Sequence, residues 1–171
     1  MAIYTSRYSN KELLSGDYYP VGISLGAPKF KLGYEVREQC YSLAPKGAML
    51  HLPYDQYKTA YMAKLDAIGR DRIIGMVQRM EARADEECKD LVLLCFEDVR
   101  KPEDWCHRTM FAEWWMKNTG EIIEELADPN PPKAAAPKKA EKPKAAEKPA
   151  EPTDDIGEQM SLFDRTPTRR W

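Results

Sequence analysis

The chain has 171 residues, with 26 Lys and Arg against 28 Asp and Glu for a formal charge of -2, which fits one ordinary domain plus an appendage. That near-neutral balance excludes the overall basic signature of a protein held on nucleic acid by charge alone. No apolar run approaches the roughly 20 residues that cross a bilayer, no secretory leader is read at the start, and the cysteines at 40, 88, 95 and 106 form no paired framework. A soluble protein of a reducing cytoplasm is expected, with no membrane partner.

Residues 2 to 6 (Ala-Ile-Tyr-Thr-Ser) make a short strand candidate, and Asn10 suits the N-cap of a brief turn through Leu13 and Leu14 that Gly16 ends. Tyr18 to Ser24 reads as a second strand, with Pro20 tolerated near its start. From Gly26 to Leu50 the pattern is weak, punctuated by Pro28, Gly33, Pro45 and Gly47. Lys29, Lys31 and Arg37, interleaved with Phe30 and Tyr34, could form a basic aromatic lip for a nucleic-acid strand, although lysine stems lying over packed aromatics are the simpler reading.

Pro53 to Gly69 has Tyr57, Tyr61, Leu65 and Ile68 at helical spacing, with Gly69 as a natural stop. A second helix runs from Asp71 to about Glu87 through Ile73, Ile74, Val77 and Met80, its other face charged. The stretch from Leu91 to Gly120 then organises the chain. Leu91-Val92-Leu93-Leu94 is apolar without alternation, the mark of a strand buried on both faces of a parallel sheet. Ligands of such sheets sit beyond the carboxyl ends of the strands, where Cys95 and Glu97 fall. Ser6, Arg7 and Ser24, at the exits of the earlier strands, share that rim if the sheet is parallel.

A helix starting near Asp104 carries Cys106, His107 and Arg108 in its first turn and packs a broad face of Met110, Phe111, Trp114 and Trp115 on the sheet. Glu121 to Leu126 reads as a last edge strand. The expected fold is therefore an α/β, three-layer domain over residues 1 to 126 with a mostly parallel sheet, the strand ending at Cys95 at its centre.

Arg108 is informative, because a cation in a helix's first turn is opposed by the positive end of the macrodipole by a few tenths to roughly 1 kcal/mol. A negative group should lie beside it: Glu97, Glu103, or a phosphate held on the helix's free N–H groups. Two readings stay open for the cluster. In one, Glu97 is a general acid or base, Cys106 a nucleophile activated by the dipole and His107, and Cys95 a second reactive thiol, while Ser6, Arg7, Ser24, His107 and Arg108 hold an anionic substrate. In the other, the cysteines are small buried apolar residues and Arg108 makes an internal ion pair. A zinc site of Cys88, Cys95, Cys106 and His107 is disfavoured by the lack of paired C-x-x-C spacing, so no metal and no other cofactor is expected.

At these residues the chain resembles the domain of unknown function 488 of bacteria and their phages. Leu93-Leu94-Cys95-Phe96-Glu97 followed by Trp105-Cys106-His107-Arg108 looks like its C-x-E and C-H-R motifs, and the likeness spans residues 2 to about 126. Ile3 to Asn10 and Val21 to Pro28 sit where that family has its first two strands and their exits. Two positions depart: the family's usual Asp-Val-Arg is replaced, and the Gly-His pair of its first turn is Arg7-Tyr8 here. The resemblance implies a fold and a site, but no substrate.

From Ala127 the composition turns to Pro, Ala, Lys and Glu through residue 157, a segment that cannot bury enough apolar surface to offset its ordering entropy and is expected to be disordered. A tether of about 30 residues reaches ~30 Å. Beyond it, in residues 158 to 171, stands Gln159-Met160-Ser161-Leu162-Phe163: apolar anchors with an amide at one end, as a groove-binding peptide needs. This stretch resembles the pentapeptide by which bacterial polymerases and repair proteins dock on the ring-shaped sliding clamp. It lacks the second aromatic of the longer archaeal and eukaryotic form, having Asp164 there. Arg165, Arg169 and Arg170 would face DNA or the clamp's acidic surface.

Two functions follow. The first is a clamp-tethered accessory protein of DNA replication or repair, with a Cys/Glu/Arg site acting on a nucleic acid or nucleotide. The second is a non-catalytic module that binds a DNA structure or a protein, or competes for the clamp.

Overall fold

The computed structural model describes residues 2–101 and 104–132. Five strands, β1 (Ile3–Arg7), β2 (Tyr18–Gly22), β3 (Glu38–Gln39), β4 (Asp90–Cys95) and β5 (Glu124–Glu125), form one sheet in the order β3-β2-β4-β1-β5. Every pairing is parallel. β4 is the middle strand, with Leu91 opposite Ile3 on one side and Tyr19 on the other. Its four apolar residues are fully buried, as their unbroken run predicts.

Alternation along β4 divides the core. Leu91 and Leu93 point into a cluster built from three helices, α1 (Tyr54–Ile68), α2 (Arg70–Glu86) and α3 (His107–Thr119). Val92 and Leu94 point the other way, onto Tyr8, Leu13 and Leu126, where a 3-10 turn over Lys11–Ser15 and the residues around Leu32 and Val36 form the covering layer. The predicted three layers are thus present, but all three helices lie in one of them. Each large apolar side chain buried this way contributes about 1.5–3 kcal/mol.

Most of the predicted stripes are buried, Tyr57, Tyr61 and Leu65 on α1 and Ile73, Val77 and Met80 on α2, while Ile68 and Ile74 are half-buried and Ala84 joins the buried face of α2. Gly69 joins them at φ +94°, a left-handed angle that a side chain would resist, ending one helix and starting the next at a single residue. On α3 the aromatic face is buried, and the Trp114 indole N–H donates to Asp66 Oδ1 at 2.7 Å, so the ring's polar edge is satisfied against α1. Pro20 is accommodated inside β2 because the Pro20 carbonyl bonds Arg37 N just before β3 begins. The missing N–H therefore faces the unpaired approach to β3 and costs no ladder bond.

The folded part runs past residue 126. Leu126 N bonds Thr5 O, Asp128 takes the Arg7 guanidinium, and Asn130 O accepts from Arg100. No helix among the described residues is long and apolar enough to cross a membrane. The clamp-like peptide and most of the tether lie outside the described residues.

Candidate active site at the exit of the central strand

β4 ends at Cys95, and its end is pinned on both sides: Tyr8 N bonds Cys95 O and Ile23 N bonds Leu94 O, each at 2.9 Å. By alternation Cys95 faces the helix layer with Leu91 and Leu93. The chain then passes through Phe96 and Glu97 and returns at Trp105, whose ring packs edge-on against Tyr57 at 4.7 Å and Tyr54 at 5.5 Å. That contact anchors the approach to α3. Cys106 is the extended N-cap (φ -144°, ψ 148°) and His107 the first helical residue, so the helix begins three residues later than Asp104, the start its sequence suggests. Asp104 N instead bonds Lys101 O and closes a turn of the loop.

This geometry brings four chemically active side chains together. The Cys95 thiol donates to Glu97 Oε2 at 3.2 Å, and Cys106 Sγ lies 3.0 Å from the same oxygen. His107 Nδ1 lies 3.6 Å from Cys95 Sγ and 3.8 Å from Cys106 Sγ. His107 Nε2 donates to the Ile23 carbonyl at 2.8 Å, which fixes the tautomer and turns Nδ1 toward the sulfurs. Cys95, Cys106 and His107 are all buried.

The cluster forms the floor of a cleft of about 400 Å³. Leu25, Leu50, Tyr57, Phe96 and Trp105 give it apolar and aromatic walls, and Ser24 adds a hydroxyl. Ser24 Oγ itself donates to Gly26 O and is hydrogen-bonded to Tyr8 Oη, each at 2.8 Å. Glu97 is exposed as a residue, at the mouth, with its carboxylate turned inward to the sulfurs.

The electrostatics differ between the two thiols. Burial would push the Cys106 thiol up, but the bond from Cys95, the bond and charge of His107 and the charge of Arg108 carry it well below the usual thiol range. Cys95 moves the opposite way, raised by its bond to Cys106, by burial and by the charges of Cys106 and Glu97. The two thiols titrate as one pair, with Cys106 driven down and Cys95 driven up. Glu97 is raised by burial and by the charge and hydrogen bond of Cys106, as a carboxyl beside an anion must be.

The expected anion-holding residues divide. Ser24 and His107 line the cleft with Cys95, Glu97 and Cys106, while Ser6, Arg7 and Arg108 do not. Ser6 is on the other sheet face and accepts from Asn10 Nδ2 at 2.9 Å. Arg7 is spent on Asp98 at 2.8 Å and Asp128 at 2.6 Å. Arg108 is fully buried and grips Glu125, Nε at 3.0 Å and Nη2 at 2.8 Å, while Nη1 has no partner among the described residues. The anion its helix position calls for is thus Glu125 of β5, which also accepts from Thr5 Oγ1 at 2.8 Å. Of the candidates the sequence offered, Glu97 turns to the two sulfurs instead and Glu103 lies outside the described residues. Asp98, Glu125 and Asp128 went unnoticed as partners, and their one signal was that Arg7 at a strand exit and Arg108 in a helix's first turn both needed counter-charges.

No protein-family model, no curated protein and no solved structure matches this chain.

Proposed function

We propose that the cleft is an active site for a nucleobase-bearing substrate, a nucleotide or an exposed end of a nucleic acid, in a cytoplasmic protein that reaches DNA by docking its tail on a sliding clamp. The observation that carries this reading is the juxtaposition of an aromatic-walled cleft with a floor of Cys95, Glu97, Cys106 and His107. Tyr57 and Trp105 offer faces and edges to a flat ring, and Glu97, whose carboxyl is raised by burial and by Cys106, carries the proton. The Cys106 thiolate has two uses, attack on an electrophile or ligation of a metal. Supporting the family reading, the two motifs resembling domain of unknown function 488 meet at this floor.

The clamp-docking part rests on Gln159-Met160-Ser161-Leu162-Phe163. A weakly charged domain gains access to DNA in this way without strong affinity of its own, because a tethered domain works at an effective concentration near millimolar. One observation favours the non-catalytic alternative: Arg7 and Arg108, the cations expected to hold a phosphate, are both neutralised internally. A phosphate then stays outside the cleft and only the base enters.

The experiment is a product screen by mass spectrometry over nucleosides, nucleotides, single strands and duplexes, with and without clamp, using full-length protein and Glu97→Gln. Turnover of one substrate class that Glu97→Gln abolishes supports the active site. Binding of a nucleic acid that leaves every substrate unchanged supports the module.

A further inference from the structure

We propose that Cys95 Sγ, Cys106 Sγ and His107 Nδ1 together bind one zinc ion, with its fourth corner open to the cleft and the Glu97 carboxylate beside that corner. The proposal deepens the active-site reading above and rests on the same side chains.

The three donor atoms lie within 4.8 Å of one another. Tetrahedral zinc with Zn–S near 2.3 Å and Zn–N near 2.0–2.1 Å places a sulfur and a nitrogen roughly 3.6 Å apart; the two separations here are 3.6 and 3.8 Å. Both sulfur-to-nitrogen separations are therefore already those of a zinc site. His107 donates its other ring N–H to Ile23 O, the outer bond that orients metal-binding histidines and leaves the facing nitrogen free to ligate.

The surroundings fit too. All three donors are buried, and they stand on rigid elements, the end of the central strand and the first residues of a helix. Two sulfurs and a carboxylate oxygen are packed together at 3.0 and 3.2 Å with no ion-pair partner among the described residues, and the nearby Arg108 is committed to Glu125. A divalent ion supplies the charge, and its binding releases the thiol protons to solvent. The donor set is soft sulfur with imidazole, which selects zinc over magnesium or calcium. The absence of C-x-x-C spacing no longer counts against the site, because one donor comes from a strand and two neighbouring ones diverge from a helix cap.

A site with three protein donors and a fourth corner left open to a cleft belongs to the catalytic class of zinc centres. One histidine and two cysteines around zinc, with a glutamate beside them, is also the arrangement by which nucleobase deaminases activate water. That chemistry fits a cleft wide enough for a flat ring.

The test uses the full-length chain, purified under reducing conditions after growth with zinc, and read by elemental analysis. Cobalt is then loaded into chelator-stripped protein and its absorption recorded. Equimolar zinc, and cobalt bands of thiolate-to-metal charge transfer in tetrahedral geometry, are expected. Cys106→Ser and Cys95→Ser should each weaken zinc binding by more than ~100-fold, since outer-shell partners alone are worth 10–100-fold. Thiol labelling of the wild type covers the case in which those variants do not fold: zinc should protect two thiols and leave Cys40 and Cys88 reactive. No retained metal, cobalt spectra without thiolate bands, equal labelling with and without zinc, or a Cys95–Cys106 disulfide as the stable purified form would each overturn the proposal. Zinc-loaded protein inactive on every nucleobase would leave the metal site standing and sink the substrate reading. Metal-free protein that still needs Glu97 for turnover would do the reverse.

Discussion

Two charged regions share the carboxyl edge of this sheet and are built on opposite rules. Around Arg7, every charge has a partner: Arg7 and Arg100 alternate with Asp98 and Asp128 at 2.6 to 3.4 Å. Around Cys106, three acidic groups crowd one another, Glu97 Oε2 lying 3.0 and 3.2 Å from two sulfurs, and the nearest buried guanidinium is turned to Glu125. A matched network holds the tail end of the domain on the sheet. An unmatched one costs stability, and proteins keep such groups together where they bind or react.

The comparison is broken most sharply by removing one carboxylate from each kind of setting. Glu125→Gln leaves the fully buried Arg108 without an anion, and a loss of about 3–5 kcal/mol of unfolding free energy is expected by denaturant titration. Glu97→Gln, in metal-free protein, removes a carboxyl that has no ion-pair partner among the described residues, and its stability should stay within about 0.5 kcal/mol of wild type or rise. Equal losses in the two variants would mean that the cleft is an ordinary ion-pair site.

Acid distinguishes the regions next. Asp98 is held down at about 2 by its bond to Arg100 and, against the cost of burial, by the charge of Arg7. A carboxyl depressed in the fold contributes stability that is complete above its unfolded value near 4 and is lost as pH falls through about 2. Melting temperature should therefore drop between pH 4 and pH 2 in the wild type. Asp98→Asn should start lower at pH 6 and fall less over that interval.

The tail gives the smallest free-energy differences within the folded domain and the clearest one in binding. An isolated peptide of residues 158 to 164 should bind a bacterial sliding clamp with micromolar affinity, about -8 kcal/mol, after the cost of ordering it. Replacing Gln159, Leu162 and Phe163 by Ala should remove detectable binding in calorimetry and leave the domain's melting unchanged. Equal clamp binding by the triple variant would defeat the docking claim.

The central strand was legible because four apolar residues in a row permit little else, and the helices because their stripes recur at 3.6 residues. The start of α3 was misplaced by three residues, since Asp104 looks like a cap yet closes a turn, and the cap is a cysteine. Partner choice was not legible. Arg108 meets a carboxylate 17 positions on and Arg7 one 91 positions on, and charge attracts at any chain separation once the fold has brought two groups together. The same holds for the sulfur and imidazole cluster: its residues were nameable, but the distances among them depend on where a strand ends and a helix begins.

The most direct measurement of the central claim is substrate turnover by full-length wild type and Glu97→Gln at equal zinc content. If the cleft is an active site with Glu97 as its proton carrier, the wild type converts a nucleobase-bearing substrate and the variant, folded and melting at the same temperature, does so ~10²–10⁴-fold more slowly. The same rate in both proteins, on a substrate that the wild type does convert, would contradict it.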